Sequence, residues 1–580
     1  MPTSPPLSAT CCFLALVAST GLATGGTQLP PELETREARS DYGMVATGSP
    51  EATMAGVEIL ERGGNAVDAA VAAALALGVS DPDASGLGGI TYLLVRQATG
   101  GAFAIDGPAV APLAVQPARL QEMKDRGAEY GCELAAVPTT LAVLDLALER
   151  FGTMDLATVL EPAIRIAEQG YRVSALQILW TEKYLPGILA SDYLRFIALE
   201  DGATVGAPGA LLCRPDLLNT LRRIAREGPE SFYLGRIAAE IDADMRRRGG
   251  FLHRADLARV RPRVRSALTV DYRGVTVHTF PHPGAGAVLT QTLNILAQFP
   301  PELLAQDSAA RHHVVLEASR IALVDGRRSA GISDSPWGEP AHLSTSRAAD
   351  WARRITPGRI LPREELGPLP DPECERTVGE STTHVSVVDS QGNVVSLTQT
   401  LGQSFGAAVA TPGLGFPYNA LLEAFNFDMP QCPGFLKAGT LVETDMSPTI
   451  ALRGNQLLVA LGSPGSNRIP AIVATVLSNM IDRGMALGDA VAAPRVLWGG
   501  VTGLRAFLEI APPVTEAVAD ELEGWGFEGT TRVVFPPDVT ELVKLGGVNA
   551  VAFDSATGSY IGVVDPRRGG LAAGPRVVAP

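Results

Sequence analysis

Five consecutive residues, Glu380-Ser381-Thr382-Thr383-His384, carry the parts of a self-activating nucleophile. A threonine hydroxyl attacks a carbonyl carbon poorly unless a base stands within reach, and a free α-amino group on the same residue supplies one. Cutting the chain before Thr382 creates that arrangement. The new amine would titrate at about 7.7–8.0, so a sizeable neutral fraction exists near neutral pH. On pattern alone, Thr-Thr-His also reads as ordinary strand sequence, because threonine is common in strands. His384 reads as a packed strand residue rather than a base.

The elements on either side must position this point. Thr356 to Thr377 is rich in Pro, Gly and acidic residues with no apolar period, and reads as an exposed connector. Directly after it, His384 to Val388 alternates like a strand, Asp389-Ser390-Gln391-Gly392-Asn393 makes a turn, and Val394 to Thr400 alternates again. That pattern predicts a hairpin.

Upstream, Ser49-Pro50-Glu51 predicts a helix start and Gly63-Gly64 its end. Asn65, with Asp68 three residues on, caps an Ala-rich helix that is apolar nearly all round and therefore buried. Ser85-Gly86-Leu87-Gly88-Gly89 leads into the strand-like Thr91 to Val95. Thr139 to Phe151 and Leu156 to Gln169 read as helices. Arg172 to Asp325 keeps helical periodicity in most places, broken at Pro281-His282-Pro283-Gly284. Leu457 to Leu461 and Ala550 to Phe553 read as strands, and Ile469 to Arg483 as a helix. Strands and helices in both halves predict a layered α/β protein.

At 580 residues, 46 % hydrophobic and 19 % charged, the chain can bury a substantial core. The net charge of −15 opposes nucleic acid binding, which needs clustered Lys and Arg. Arg246-Arg247-Arg248 and Arg261-Pro262-Arg263-Val264-Arg265 read as solvated surface. Six cysteines show no zinc-like spacing. Cys132, Cys213, Cys374 and Cys432 fit either thiols or disulfides, and Cys11 and Cys12 lie in an apolar N-terminal run.

That run, Cys11 to Ala23, ends in small residues like a signal-peptide core, although no Lys or Arg precedes it. We read residues 1–28 as a signal peptide and 29–42 as a linker. The run is too short to span a bilayer, and no later segment is apolar enough to do so. The expectation is a periplasmic or secreted protein without a membrane span, with a cytoplasmic location as the alternative.

Several blocks in fixed order carry a resemblance to a known family. They are Gly43-Met44-Val45-Ala46, Gly63-Gly64-Asn65-Ala66-Val67-Asp68-Ala69-Ala70, Ser85-Gly86-Leu87-Gly88-Gly89, Thr382-Thr383-His384 and Met446-Ser447-Pro448-Thr449. Gly462-Ser463-Pro464-Gly465, Ala493-Pro494-Arg495 and Asp565-Pro566-Arg567-Arg568-Gly569-Gly570 complete the set. From about Gly43 almost to the C-terminus the chain resembles the γ-glutamyltransferases.

The resemblance implies a four-layer αββα sandwich of the N-terminal-nucleophile hydrolase type. It implies self-cleavage between Ser381 and Thr382, into a large subunit (43–381) and a small catalytic subunit (382–580) that stay together as a heterodimer. Thr382 would be the nucleophile and Thr400 the residue supporting its hydroxyl and amine. The loop Gly462 to Ser466 matches the oxyanion-hole loop, with donors at Gly465 and Ser466, where family members have a second Gly. Losing one such donor costs about 3–4 kcal/mol of transition-state stabilisation.

The head-group residues depart from the family. An Arg that clamps the substrate carboxylate falls on Pro108, and Pro cannot imitate a guanidinium fork. A family Asn falls on Gly402. The Gln and Asp positions fall on Leu421 and Ala424, with Glu423 adjacent, and two Ser positions fall on Thr444 and Asp445. Gly402, Glu423, Thr444 and Asp445 are therefore the candidate substrate-binding residues. The stretch from Phe425 to Met446 is short beside members that carry a lid, which implies a more open site.

The expected function is cleavage of a γ-glutamyl-like or related acyl amide, in a small molecule or peptide, through an acyl-Thr ester. The alternative is a diverged acylase like the cephalosporin acylases, or a biosynthetic relative that does not use γ-glutamyl substrates. An inactive binding protein would have lost Thr382, Thr400 or the Gly-Ser-Pro-Gly loop, and all are present. No metal or organic cofactor is implied.

Overall fold

The computed structural model describes residues 36–576 except 108, 331–342, 367–378, 380, 433–434, 499–505, 511–513, 528–530 and 535–542. The signal-peptide reading, Pro108, Cys374 and the second half of the connector lie outside the described residues; in its first half Leu361 and Leu366 are buried, so that part is not exposed as expected.

Two seven-stranded antiparallel sheets lie face to face at the centre. Their strands, numbered along the chain, are β1 (Arg36–Ser40), β2 (Gly43–Thr47), β3 (Ile90–Arg96), β4 (Ala102–Asp106), β5 (Arg263–Ser266), β6 (Leu268–Tyr272) and β7 (Val275–Thr279). The rest are β8 (Ser381–Asp389), β9 (Val394–Gly402), β10 (Thr449–Arg453), β11 (Gln456–Gly462), β12 (Asn549–Asp554), β13 (Ser559–Val564) and β14 (Leu571–Ala573). One sheet runs β14-β2-β8-β9-β3-β4-β5 and the other β1-β13-β12-β11-β10-β7-β6.

Helices α1 (Pro50–Glu61), α2 (Ala66–Ser80) and α3 (Thr140–Phe151) cover the first sheet, with α4 (Leu156–Gln169) packed on α1 and α2. Helices α5 (Gly286–Leu296) and α7 (Ile469–Ile481) cover the second, with α6 (Ala309–Ala330) packed on both helices. Three cores result. Val385 and Leu397 pack with α2, Tyr92 and Ile450 lie in the core between the sheets, and Val459 packs with Val473 of α7. This is the four-layer αββα sandwich.

The reasons are local. Every residue of α2 is buried, as its unbroken apolar composition requires, and Asn65 and Asp68 form the predicted capping box. The two strands of the hairpin β8–β9 are covered on both faces and buried along their whole length. Its period of two sends Val385 and Val387 toward the helices, whereas Ser386 reaches Asn549 on the facing sheet.

Three readings need correction. The segment read as linker contributes β1 from Arg36 onward, an edge strand laid along β13. The region read as helical contains β5, β6 and β7, of which β6 alternates buried and exposed residues along its length. Arg263 and Arg265 of β5 are not solvated surface, because both pair with the fully buried Asp106. Arg246 and Arg247 are exposed as expected. Cys132 and Cys213 are free thiols, and Cys432 is disulfide-bonded. Among the described residues no helix is long and apolar enough to cross a membrane.

Candidate active site

Thr382 is the second residue of β8, and its ladder partner on β9 is Thr400. The register slips just before it. Ser381 pairs with Gly402 while Thr382 pairs with Thr400, leaving Leu401 as the extra residue of a bulge. Gly402 takes φ +86°, a left-handed conformation that costs glycine little.

The bulge gathers three groups on one hydroxyl. Thr382 Oγ1 donates to Thr400 Oγ1 at 3.0 Å. The Gly402 N–H donates to the same oxygen at 2.9 Å. Thr400 Oγ1 in turn donates to the Ser381 carbonyl oxygen at 2.5 Å. The hydroxyl expected to attack and the carbonyl expected to be attacked are thus joined through Thr400, whose donated proton polarises the C=O bond. Both threonines are buried. On the acyl side, Ser381 Oγ donates to the Asp83 carbonyl oxygen at 2.6 Å. Gly379 lies against Gln403 so closely that a Cβ there would come 2.7 Å from Gln403 Cγ. The chain ahead of the bond therefore covers the end of β9.

His384 is fully buried. Nδ1 is 2.8 Å from Thr398 Oγ1 and Nε2 is 3.0 Å from Ser386 Oγ. Burial pushes the ring down to about 3, so it stays neutral and is spent on packing.

The Gly462 to Ser466 loop leaves β11, which packs against β8 and β9 from the facing sheet. Gly465 has φ +141°, and Ser466 holds φ +54°, so the serine keeps a backbone shape that glycine adopts freely. Ser463 Oγ accepts from the Gly547 N–H at 3.0 Å and donates to the Pro464 carbonyl oxygen at 2.6 Å, bracing the loop.

Behind that brace lies a buried ion network. Arg567 grips Glu509 through Nε at 2.9 Å and NH2 at 2.7 Å, and Asp565 at 3.0 Å. Arg495 reaches Asp565 at 2.5 Å and donates to the Leu545 carbonyl oxygen at 2.7 Å. The Val548 N–H donates to Asp565 at 2.9 Å. Ala493-Pro494-Arg495 and Asp565-Pro566-Arg567 therefore position the 545–548 segment that supports the loop.

The γ-glutamyltranspeptidase family profile matches residues 52–575. An acylase ACY 1 proenzyme from Pseudomonas sp. (strain SE83) is 36 % identical over 540 residues, covering 90 % of this chain and 91 % of its own. A glutathione hydrolase proenzyme from Escherichia coli (strain K12) is 33 % identical over 481 residues, covering 79 % and 81 %. The crystal structure of cephalosporin acylase from Bacillus halodurans superposes with a TM-score of 0.81 at 28 % identity, covering 95 % of this chain and 99 % of that one.

The chain belongs to the γ-glutamyltranspeptidase family. It is an enzyme of that family's N-terminal-nucleophile type, an amidohydrolase or acyltransferase.

The residues expected to meet the substrate head group divide. Gly402 offers only its backbone N–H, which Thr400 takes. Glu423 accepts from Gln403 Nε2, and burial raises its carboxyl above the usual range. Gln403, one residue past β9, thus ties Glu423 to the nucleophile's neighbourhood. Thr444 lies on another segment, its N–H donating to the Pro283 carbonyl oxygen at 3.0 Å, with Asp445 beside it. Leu421 is fully buried and apolar.

Two guanidiniums meet at the end of β4. Arg263 forks onto Asp106, two residues before Pro108, at 2.9 and 3.0 Å. Arg265 reaches Asp106 at 2.8 Å and the His282 carbonyl oxygen at 2.6 Å. Sequence reading missed them because the pairing spans 157 residues. Gln403 carried no signal beyond its place after a predicted strand.

Proposed function

We propose that Thr382 cuts the chain before itself and then serves as the nucleophile of an amide hydrolase or acyltransferase. One observation carries the reading. Thr382 Oγ1, Thr400 Oγ1 and the Ser381 carbonyl oxygen form a continuous hydrogen-bonded relay across the bond to be cut. In self-cleavage Thr382 Oγ bonds to the Ser381 carbonyl carbon, the C–N bond breaks, and the hydroxyl proton passes to the nitrogen. Water then hydrolyses the ester, leaving a Ser381 carboxylate and a free Thr382 amine. In turnover that amine takes the Oγ proton, the substrate's acyl group becomes an ester on Thr382 as its C–N bond breaks, and the leaving amine departs with the proton. Water or an acceptor amine then takes the acyl group and restores the Thr382 hydroxyl, with Thr400 orienting that hydroxyl and the amine. Backbone N–H groups of Gly465 and Ser466 would stabilise the oxyanion. The large (43–381) and small (382–580) fragments remain one heterodimer, and the N-terminal apolar run directs export to the periplasm or medium.

The substrate is an acyl amide of the γ-glutamyl or a related type. A second reading, an acylase for chains lacking an α-amino acid head group, is favoured by the buried apolar Leu421, which occupies a position where the family places a polar side chain. The names of two relatives, an acylase and a cephalosporin acylase, support it.

The test is intact-mass measurement of wild type and Thr382→Ala, followed by incubation with a γ-glutamyl anilide and a glutaryl anilide. Two wild-type fragments meeting at Ser381/Thr382 and one uncut mutant chain are expected. Turnover of the γ-glutamyl anilide supports the first substrate reading, and turnover of the glutaryl anilide alone supports the second. An uncut wild-type chain overturns the mechanism.

A further inference from the structure

Two carboxyl groups that the mechanism above does not use lie beside the bond to be cut. Asp81 closes α2, its N–H donating to the Leu77 carbonyl oxygen at 2.7 Å, and Pro82 and Asp83 follow. The Asp81 carboxyl faces both the Asp83 carboxyl and the Thr383 hydroxyl. Gly48 makes room for this contact, since a Cβ there would sit 3.0 Å from Thr383 Oγ1 and 3.8 Å from Asp81 Oδ2. Asp83 is 3 % exposed, and its Oδ1 is buried without a hydrogen-bond partner. The Asp83 carbonyl oxygen accepts from Ser381 Oγ at 2.6 Å and from the Phe405 N–H at 2.9 Å. The segment 81–83 is therefore a bracket between the end of α2, the start of β8 and the loop after β9.

We propose that Asp81 and Asp83 form a proton-sharing carboxyl pair that holds the chain in register for self-cleavage, the Asp83 backbone gripping Ser381 and the Asp81 carboxyl facing Thr383. Ser381 and Thr383 flank Thr382 on either side. This inference rests on Thr382 being the self-cleaving residue, and it assigns positioning residues, not a reacting group.

The chemistry follows from burial and proximity. Two neighbouring carboxylates, one of them buried, cannot both ionise cheaply, so one proton stays between them. Burial raises Asp81 to about 6, and burial together with the Asp81 charge holds Asp83 well above the usual carboxylate range. Arg568 is the cation that faces both groups and opposes this rise. Asp83 also acts on the buried Tyr171, whose other charged neighbour is Arg214. While the pair shares a proton, the bracket is closed. When that proton leaves at higher pH, the carboxylates repel and the bracket loosens its hold on Ser381.

The discriminating variant is Asp83→Asn, whose amide donates to Asp81 as a protonated carboxyl would but cannot ionise. Self-cleavage of freshly purified precursor is followed by intact mass from about pH 5 to about pH 10, on both sides of neutrality. The wild-type rate is expected to fall on the alkaline side, whereas D83N keeps its rate there. Asp83→Ala is expected to slow cleavage about 10²-fold at every pH, the size of a small misplacement of reacting groups. Thermal unfolding of both variants separates this from a failure to fold. If D83A does not fold, the D83N profile decides alone. A D83N profile parallel to wild type overturns the pair while leaving Thr382 as the nucleophile. A wild-type cut at another bond, or a Thr382→Ala chain that still cuts, overturns the nucleophile reading and the pair with it.

Discussion

Gly462 leaves the space that the His384 ring fills: a Cβ at residue 462 would stand 2.3 Å from Cε1 and 2.4 Å from Nδ1. The first residue of the oxyanion-loop block and the last residue of the nucleophile block are therefore fitted to one another across the two sheets. Gly462→Ala should cost about 1–3 kcal/mol through overpacking, read as a lower denaturant midpoint at unchanged slope. Combining it with His384→Ala should cost less than the sum of the two single changes.

His384 also sets an acid response. Its ring is held neutral in the fold, down to about 3, while an unfolded histidine titrates near about 6.5. Protonation then favours the unfolded chain, so this stability is fully present above the unfolded value and is lost as pH falls toward the folded one. The slope contributed is about 1.4 kcal/mol per pH unit within that window. Unfolding free energies measured from neutral pH downward should show a shallower decline in His384→Gln by about one proton. His312 and His313, also lowered by burial, account for part of the remainder.

Asp565 gives a second acid limb at lower pH. Burial pushes its carboxyl up, but Arg495 and Arg567 outweigh burial and hold it below its ordinary value. Its contribution is therefore present above the unfolded carboxylate range and lost as pH falls below about 4. Asp565→Asn leaves two arginines short of a counter-charge and should cost about 3–5 kcal/mol at neutral pH. Chemical denaturation at neutral pH checks the magnitude, and a flatter acid limb in the variant checks the sign.

Thr400 takes part in both halves of the proposed chemistry. Thr400→Val removes the donor to the Ser381 carbonyl and should slow self-cleavage about 10²–10³-fold, the cost of one lost oxyanion donor. Thr400→Ser keeps the hydroxyl and should cleave within about tenfold of wild type. Time courses of fragment appearance distinguish these outcomes.

Ser466 stores a little backbone strain at φ +54°. Ser466→Gly should raise stability by up to about 1 kcal/mol while preserving self-cleavage and anilide turnover, because the donor is a backbone N–H. A loss of turnover in this variant would show that the serine side chain matters.

The parts of the fold that were legible are those whose pattern is local. The hairpin around Thr382 announced itself because Val385, Val387, Val395 and Leu397 alternate with polar residues, and α2 because its caps and apolar run agree. β1 was hidden, since an edge strand in Arg36–Ser40 needs no apolar run. β5 was hidden for another reason: Arg263 and Arg265 look like surface until Asp106 arrives from another part of the chain. At the site, motif order pointed to Thr382 and Thr400, but not to the bulge that joins them. The Asp81–Asp83 bracket carried no periodic signal at all, because its meaning comes from what α2, β8 and the loop after β9 bring together.

Cleavage before Thr382 would also leave the two pieces shuffled strand by strand. β1, β2, β3, β4, β5, β6 and β7 precede the cut and the others follow it, so the pairings β1–β13, β7–β10, β2–β14, β2–β8 and β3–β9 all cross from one piece to the other. Neither piece retains a whole sheet, and each lacks the neighbours that saturate its backbone. Dissociation is then the same event as unfolding. Mixed batches of isotope-labelled and unlabelled processed enzyme should exchange no fragments under native conditions, and dilution should lower the melting temperature, because unfolding releases two pieces.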